Sequence, residues 1–97
     1  QNAMLWVVAQ RTFDCLPEKW NDAWIDKYNM VKGLQLALGI TDDTAKPTKD
    51  GVEIVRVPSS IADMDNEAAN AACDTLFRGM ARLLDVDVQT LLGEVAA

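Results

Sequence analysis

Apolar residues recur at three- and four-residue spacing along the stretch that follows Met64. The residues that share this spacing are Ala69, Ala72, Cys73, Leu76, Met80, Leu83 and Leu84. Polar residues occupy the opposite side, and this pattern predicts an amphipathic helix of about five turns. Asp65 stands at the start of the pattern, where a short carboxylate can accept the free backbone N–H groups of a first helical turn. We therefore predict that Asp65 is the N-cap.

Helical spacing also occurs on both sides of this segment. Residues 5–16 carry an apolar face made of Leu5, Val8, Ala9, Thr12, Phe13 and Leu16, and Pro17 ends that pattern. A second helix is predicted within residues 17–38, with Asn21 or Asp22 as a candidate internal cap and Gly39 at its C-terminal end. A last short helix is predicted after Asp87, with Val88, Leu91, Leu92 and Val95 as its apolar positions.

A short strand is predicted between the second and third helices. Residues 52–57 are rich in β-branched side chains, Asp50-Gly51 indicates a turn before them, and Pro58 marks their end. Residues 41–50 are predicted to be a polar loop, and a short strand at its start could pair with residues 52–57. The predicted fold is therefore of the α+β class and mainly α, with three to four helices and a small β-hairpin between the second and third.

The composition is that of one small folded domain. The chain has 97 residues, of which 49% are apolar, and it includes three tryptophans. No run approaches the ~20 apolar residues of a membrane span, so no membrane partner is predicted. Cys15 and Cys73 each lie in an apolar helical pattern, which is typical of reduced core cysteines in a cytoplasmic protein. Residues 1–3 resemble an expression-tag remnant, and the apolar opening after Met4 predicts that residues 4–97 are a C-terminal fragment of a longer protein.

The residue types argue against catalysis. There is no histidine and no phosphate-binding glycine motif, and the two cysteines are far apart in the sequence. Histidine-based acid–base chemistry and ordinary zinc sites are therefore excluded. We predict a protein that is not an enzyme and that uses no cofactor or metal.

Charge is distributed unevenly over a net charge of −6. Residues 1–50 hold six basic and seven acidic residues, whereas residues 51–97 hold three basic and eight acidic ones. The acidic second half would repel phosphate groups, so any nucleic acid is expected to bind to the first half of the chain. The candidate phosphate contacts are Lys27, Lys32, Lys46, Lys49 and Arg56, with Trp20 or Trp24 stacking on a base. The aromatic series Trp20, Trp24 and Tyr28 is more often a core-facing stripe, and stacking on unpaired bases is the alternative interpretation.

Small residues dominate the first half of the predicted third helix. They are Ala68, Ala69, Ala71, Ala72 and Cys73. Small side chains let another backbone approach closely, so this half is predicted to be tightly crossed. The crossing element is either another part of the same molecule or a second copy, in a homo-oligomer formed through residues 66–84.

Three segments together resemble one family. They are Leu5-Trp6 at the start of a helix, residues 31–39 (VKGLQLALG) and residues 58–67 (PSSIADMDNE). This combination is similar to the C-terminal part of uncharacterised bacteriophage proteins and, more distantly, to the NinB (Orf) recombination mediators. In those proteins a helix ending in an ALG-like run leads to a hairpin, and the second motif opens a long helix. The chain departs from this pattern at Ala69 and Ala72, where bulky aromatic residues are common.

The resemblance implies a phage or prophage product of the bacterial cytoplasm. It would be a non-enzymatic accessory protein linked to DNA recombination or replication, and its partner would be single-stranded DNA or a host DNA-metabolism protein. The alternative is a protein–protein interaction or oligomerisation module without a nucleic-acid role.

Overall fold

The computed structural model describes residues 2–96, and within that range the chain forms five α-helices and one β-hairpin. The elements are α1 (Asn2–Cys15), α2 (Glu18–Trp24), α3 (Lys27–Leu38), β1 (Thr41–Thr48), β2 (Gly51–Pro58), a single 3₁₀ turn (Ile61–Asp63), α4 (Asn66–Leu83) and α5 (Val88–Ala96). The predicted α+β class with a helical majority is confirmed. The predicted expression-tag remnant begins at Gln1, which lies outside the described residues.

The predicted number of helices and the predicted place of the hairpin are wrong. The range 17–38 forms two helices, α2 and α3, so the hairpin follows the third helix and does not lie between the second and third. The chain breaks at Ile25, whose φ of 73° is left-handed. A β-branched residue rarely adopts this conformation, so the sequence pattern gives no sign of the break.

The start of α3 explains how the break is stabilised. The side chain of Asp26 accepts the backbone N–H of Asn29 at 2.9 Å and caps the helix. The predicted internal caps Asn21 and Asp22 are therefore wrong, because both residues lie inside α2. Gly39 ends α3 with a left-handed φ of 80°, as predicted.

The core lies between α1, α3, α4 and α5. Its buried members are Leu5, Val8, Ala9, Leu16, Met30, Val31, Leu34, Cys73, Leu76, Phe77, Met80, Ala81 and Leu91. The predicted apolar faces of α1 and α4 supply most of this set, although Leu83 and Leu84 are only half-buried. Thr12 is also buried, and its hydroxyl donates to the carbonyl oxygen of Val8 at 2.9 Å.

Two predicted N-caps are confirmed. Asp65 accepts the backbone N–H of Ala68 at 2.8 Å at the start of α4. Asp87 accepts the backbone N–H of Thr90 at 2.8 Å at the start of α5. The backbone hydrogen bond from Thr90 lowers the pKa of the Asp87 carboxyl.

A close approach of α3 and α4 lies in the second half of α4. A Cβ atom placed on Gly79 would lie 2.8 Å from Cδ1 of Leu38. In the first half, Ala68 and Ala71 are exposed and Ala69 is half-buried, whereas Ala72 and Cys73 are buried. The tight crossing predicted for this half stays a prediction.

The hairpin is longer than predicted, because β1 takes up almost the whole range that was predicted to be a loop. The two strands pair in antiparallel fashion from Thr41 opposite Pro58 to Thr48 opposite Gly51. The turn follows Thr48, and Gly51 has a φ of 136°, which favours glycine. The strand ends at Pro58, as predicted. We refer to β1 and β2 together as the hairpin arm.

The base of the hairpin arm is fastened to the end of α3. The backbone N–H of Ser59 donates to the carbonyl oxygen of Ile40 at 3.0 Å. Nε2 of the buried Gln35 donates to the carbonyl oxygen of Ser59 at 2.8 Å. The rest of the arm is solvent-exposed on both faces apart from the partly buried Val55 and Val57, and the molecule measures 53 Å along its longest axis and 18 Å along its shortest.

Both cysteines are free, but only one belongs to the core. Cys73 is buried and Cys15 is exposed, so the prediction of two core cysteines is right for Cys73 alone. Burial raises the pKa of the Cys73 thiol, which keeps it protonated and unreactive.

Candidate binding cleft and hairpin arm

A cleft of about 480 Å³ lies between α1, α3 and the chain that leaves the hairpin arm. It is lined by Leu5, Trp6, Tyr28, Val31, Lys32, Gln35, Pro58, Ser59, Ser60, Ile61 and Ala62. Its volume falls in the range of sites that hold a small molecule or one group of a larger ligand. We refer to it as the aromatic cleft.

Two aromatic rings from different helices meet at this cleft. The ring centroids of Trp6 and Tyr28 are 4.9 Å apart and the rings are tilted by 47°. Tyr28 keeps 52% of its surface exposed. An aromatic side chain with this exposure offers a flat apolar surface to a ligand.

Two lysines stand beside the aromatic pair. Lys32 lies one helical turn after Tyr28, on the same face of α3, and supplies the charge among the residues that line the aromatic cleft. Lys27 precedes Tyr28, and its Nζ is 5.4 Å from the Tyr28 ring centroid. The cleft therefore joins an apolar aromatic surface to positive charge.

A shallower depression continues from Trp6 along α1. It is lined by Trp6, Val7, Gln10, Arg11, Asp14 and Lys27. The charge of Arg11 is partly offset by Glu94, whose Oε2 is 3.7 Å from Nη2 of Arg11. Lys27 and Lys32 are therefore the cations best placed to meet an anion at the aromatic pair.

The predicted stacking residues Trp20 and Trp24 lie elsewhere. Their ring centroids are 5.1 Å apart, so the two rings are in contact, and Trp20 keeps 40% of its surface exposed. Trp24 also packs on the backbone of α3, since a Cβ on Gly33 would lie 2.9 Å from Nε1 of Trp24. The series Trp20, Trp24, Tyr28 is therefore not one continuous stripe, because the break at Ile25 turns Tyr28 towards Trp6.

The structure brings together two of the five predicted basic residues. Lys32 lines the aromatic cleft and Lys27 lines the neighbouring depression, whereas Lys46 and Arg56 lie on the hairpin arm and Lys49 lies in its turn. Lys46 stands opposite Glu53, and Arg56 stands opposite Asp43. Sequence reasoning missed Trp6 as a site residue, since only the packing of α1 against α3 places it beside Tyr28.

The hairpin arm carries an exposed apolar surface of its own. Val52 and Ile54 expose 69% and 66% of their surfaces. They point to the same face, because side chains two apart in a strand share a face, and they stand opposite Pro47 and Ala45. This face has no helix or further strand over it in the part of the chain that the structure describes.

Comparisons of the chain with protein-family models, with curated proteins and with solved structures found no match. Within residues 2–96 there is no group of three or more side chains that could hold a metal ion. None of the described helices is long and apolar enough to cross a membrane.

Proposed function

We propose that the protein is a non-enzymatic accessory protein of a phage or prophage, and that it acts in DNA recombination or replication in the bacterial cytoplasm. Its role is to hold an unpaired nucleotide of a single strand in the aromatic cleft. The observation that carries this proposal is the pair Trp6 and Tyr28, flanked by Lys27 and Lys32. The resemblance of residues 5–6, 31–39 and 58–67 to phage proteins supports the biological setting.

The chemistry of the cleft suits a nucleotide in two ways. Every base has a flat face that can stack on an aromatic side chain, and stacking of this kind contributes about 1–3 kcal/mol per base. Lysine beside the aromatic pair can neutralise the adjoining phosphate, with release of counterions. Lysines that contact phosphates form no hydrogen bonds with the edges of the bases, so we expect little preference for nucleotide sequence.

The overall charge limits the affinity. The net charge of −6 opposes the approach of any polyanion. Weak binding is therefore part of the proposal, and we expect a dissociation constant in the tens of micromolar or weaker at physiological salt, as for non-specific complexes.

Titration of a labelled single-stranded oligonucleotide at several salt concentrations tests the proposal. If two phosphates are neutralised, a plot of the logarithm of the binding constant against the logarithm of the salt concentration should have a slope of about −1.4. Lys32→Glu should weaken binding and flatten this slope. Lys49→Glu makes the same change of charge at the turn of the hairpin arm, far along the strands from the cleft, and should leave both quantities close to wild type. Loss of binding in Lys49→Glu with none in Lys32→Glu would reject the cleft as the site.

A second candidate function is a protein–protein interaction or oligomerisation module. The uncovered hairpin arm favours it, because a two-stranded hairpin is at best marginally stable in water without a further strand or a helix over it. The surface expected from sequence, residues 66–84, is less suited to this role. Its apolar stripe, including Ala72, Cys73, Leu76 and Met80, is already buried within the molecule.

A further inference from the structure

The depression along α1 adjoins the aromatic cleft at Trp6, which lines both. We refer to it as the α1 depression, and its volume of about 470 Å³ is close to that of the cleft. Lys27 also lines the α1 depression, and its Nζ lies 5.4 Å from the ring centroid of Tyr28, at the cleft. The cleft and the α1 depression therefore form one continuous surface around the aromatic pair.

Positive charge is concentrated on this surface. The residues that line the cleft and the α1 depression include three of the nine basic residues of the chain, Arg11, Lys27 and Lys32. They include one of its fifteen acidic residues, Asp14. The chain as a whole has a net charge of −6. A local surplus of cations on an acidic molecule favours the binding of an anion at that place.

The position of Arg11 suits a strand that leaves the aromatic cleft. An α-helix rises 1.5 Å per residue, so Arg11 lies about 7.5 Å along the axis of α1 from Trp6. A stacked strand advances about 3.4 Å per nucleotide, so this distance corresponds to roughly two nucleotides. Lys27 lies beside the aromatic pair, and Arg11 lies further along the same path. A strand with one base in the cleft can therefore place successive phosphates near these two cations.

Two carboxylates act on Arg11 and on the end of the path. Oε2 of Glu94 is 3.7 Å from Nη2 of Arg11, and both side chains are about half exposed. Exposed ion pairs of this kind contribute little, so a phosphate can displace Glu94 from Arg11. Asp14 lies beyond Arg11 on α1, where its Oδ1 accepts Nε2 of Gln10 at 2.8 Å. Its negative charge repels a phosphate there, so the positive surface ends at Arg11.

We infer that Arg11 binds a further phosphate of the strand whose base lies in the aromatic cleft. The site then takes three consecutive phosphates, at Lys32, Lys27 and Arg11, and Glu94 competes with the last of them. This inference rests on the proposed nucleotide-binding function and deepens it. The ligand is a single strand of at least four nucleotides, which carry three internucleotide phosphates, and not a free nucleotide.

Titration of the full chain with thymidine oligonucleotides of two to eight nucleotides tests the inference. We expect the affinity to rise steeply up to four nucleotides, and beyond that only in proportion to the number of positions at which the strand can bind. For the tetranucleotide, the salt dependence should have a slope of about −2.1 in the wild type and about −1.4 in Arg11→Gln. Arg11→Gln should bind it on the order of tenfold more weakly at about 50 mM salt, and the difference should disappear towards about 1 M.

Two further variants control for the loss of charge. Arg78→Gln removes an exposed arginine that is paired with Asp74 at 3.1 Å on α4 and lines neither the cleft nor the α1 depression. It should bind the tetranucleotide as the wild type does. Glu94→Gln releases Arg11 and should tighten binding by up to about fivefold. This gain should be absent when Arg11→Gln is combined with Glu94→Gln, because Glu94 acts through Arg11.

Backbone amide NMR signals separate this inference from the proposed function. The dinucleotide should shift the signals of Tyr28 and Ser60 at the cleft, and the tetranucleotide should also shift those of Gln10 and Arg11. The inference is overturned if Arg11→Gln binds the tetranucleotide with wild-type affinity and slope, or if the tetranucleotide shifts the cleft signals alone. The proposed function survives either result. If no oligonucleotide shifts the signals of Tyr28 and Ser60, the proposed function is rejected and this inference with it.

Discussion

Leu76→Ala should lower the free energy of unfolding by about 2–5 kcal/mol. Leu76 has no exposed surface and lies in the middle of α4, among core residues from several helices. Removing its side chain loses the transfer free energy of the buried methyl and methylene groups and leaves a cavity that neighbouring helices only partly fill. The expected loss is a large share of the total free energy of unfolding of a small domain, which is roughly 5–15 kcal/mol.

Leu36→Ala is the matched control for this prediction. Leu36 lies on α3, and 44% of its surface is exposed. The same truncation there creates no buried cavity, so the loss should be small. Urea denaturation followed by circular dichroism measures both variants. Equal shifts of the two midpoints would mean that α4 does not bury the face assigned to it.

Gln35→Leu should cost about 1–3 kcal/mol, since it leaves a partly buried carbonyl without its donor. Gln35 is buried, and its Nε2 donates to the carbonyl oxygens of Ser59 and Ile40 at 2.8 and 3.4 Å. This side chain joins α3 to the chain that leaves the hairpin arm and forms one wall of the aromatic cleft. We therefore expect weaker oligonucleotide binding together with the loss of stability.

Two further variants separate the hydrogen bond from other effects of this change. Gln89→Leu places the same residue on the exposed side of α5 and should change stability by less than about 0.5 kcal/mol. Gln35→Glu keeps the shape but, when ionised, offers only acceptors to the two carbonyl oxygens, which raises the pKa of the new carboxyl. Its stability deficit should therefore shrink as the pH falls through that pKa and grow as the pH rises. A deficit independent of pH would reject this role for Gln35.

The elements governed by local pattern could be predicted from the sequence. The spacing from Ala69 to Leu84 and the short carboxylates Asp65 and Asp87 fix α4, α5 and their caps through interactions within a few residues. The turn before β2 and its end at Pro58 follow from the same kind of local chemistry.

The elements that depend on long-range packing could not be predicted from the sequence. Nothing in the local sequence requires Ile25 to adopt a positive φ, yet this one residue divides a predicted helix and turns Tyr28 away from Trp24. β1 is rich in polar residues and becomes a strand because β2 pairs with it. Trp6 and Tyr28 are 22 positions apart and meet only when α1 packs on α3. The candidate site is therefore a product of the fold and not of a motif.

Tryptophan fluorescence can locate the base-binding site directly, because the chain has three tryptophans and only Trp6 lies in the aromatic cleft. A Trp20→Phe/Trp24→Phe variant retains Trp6 alone, whereas a Trp6→Phe variant retains the other two. Far-UV circular dichroism of both variants first shows that they remain folded. Titration with a single-stranded oligonucleotide at low salt should then quench the fluorescence of the variant that retains Trp6, and should leave that of Trp6→Phe unchanged. Quenching confined to Trp6→Phe, or no change in either variant, would contradict the proposal that the aromatic cleft holds an unpaired nucleotide.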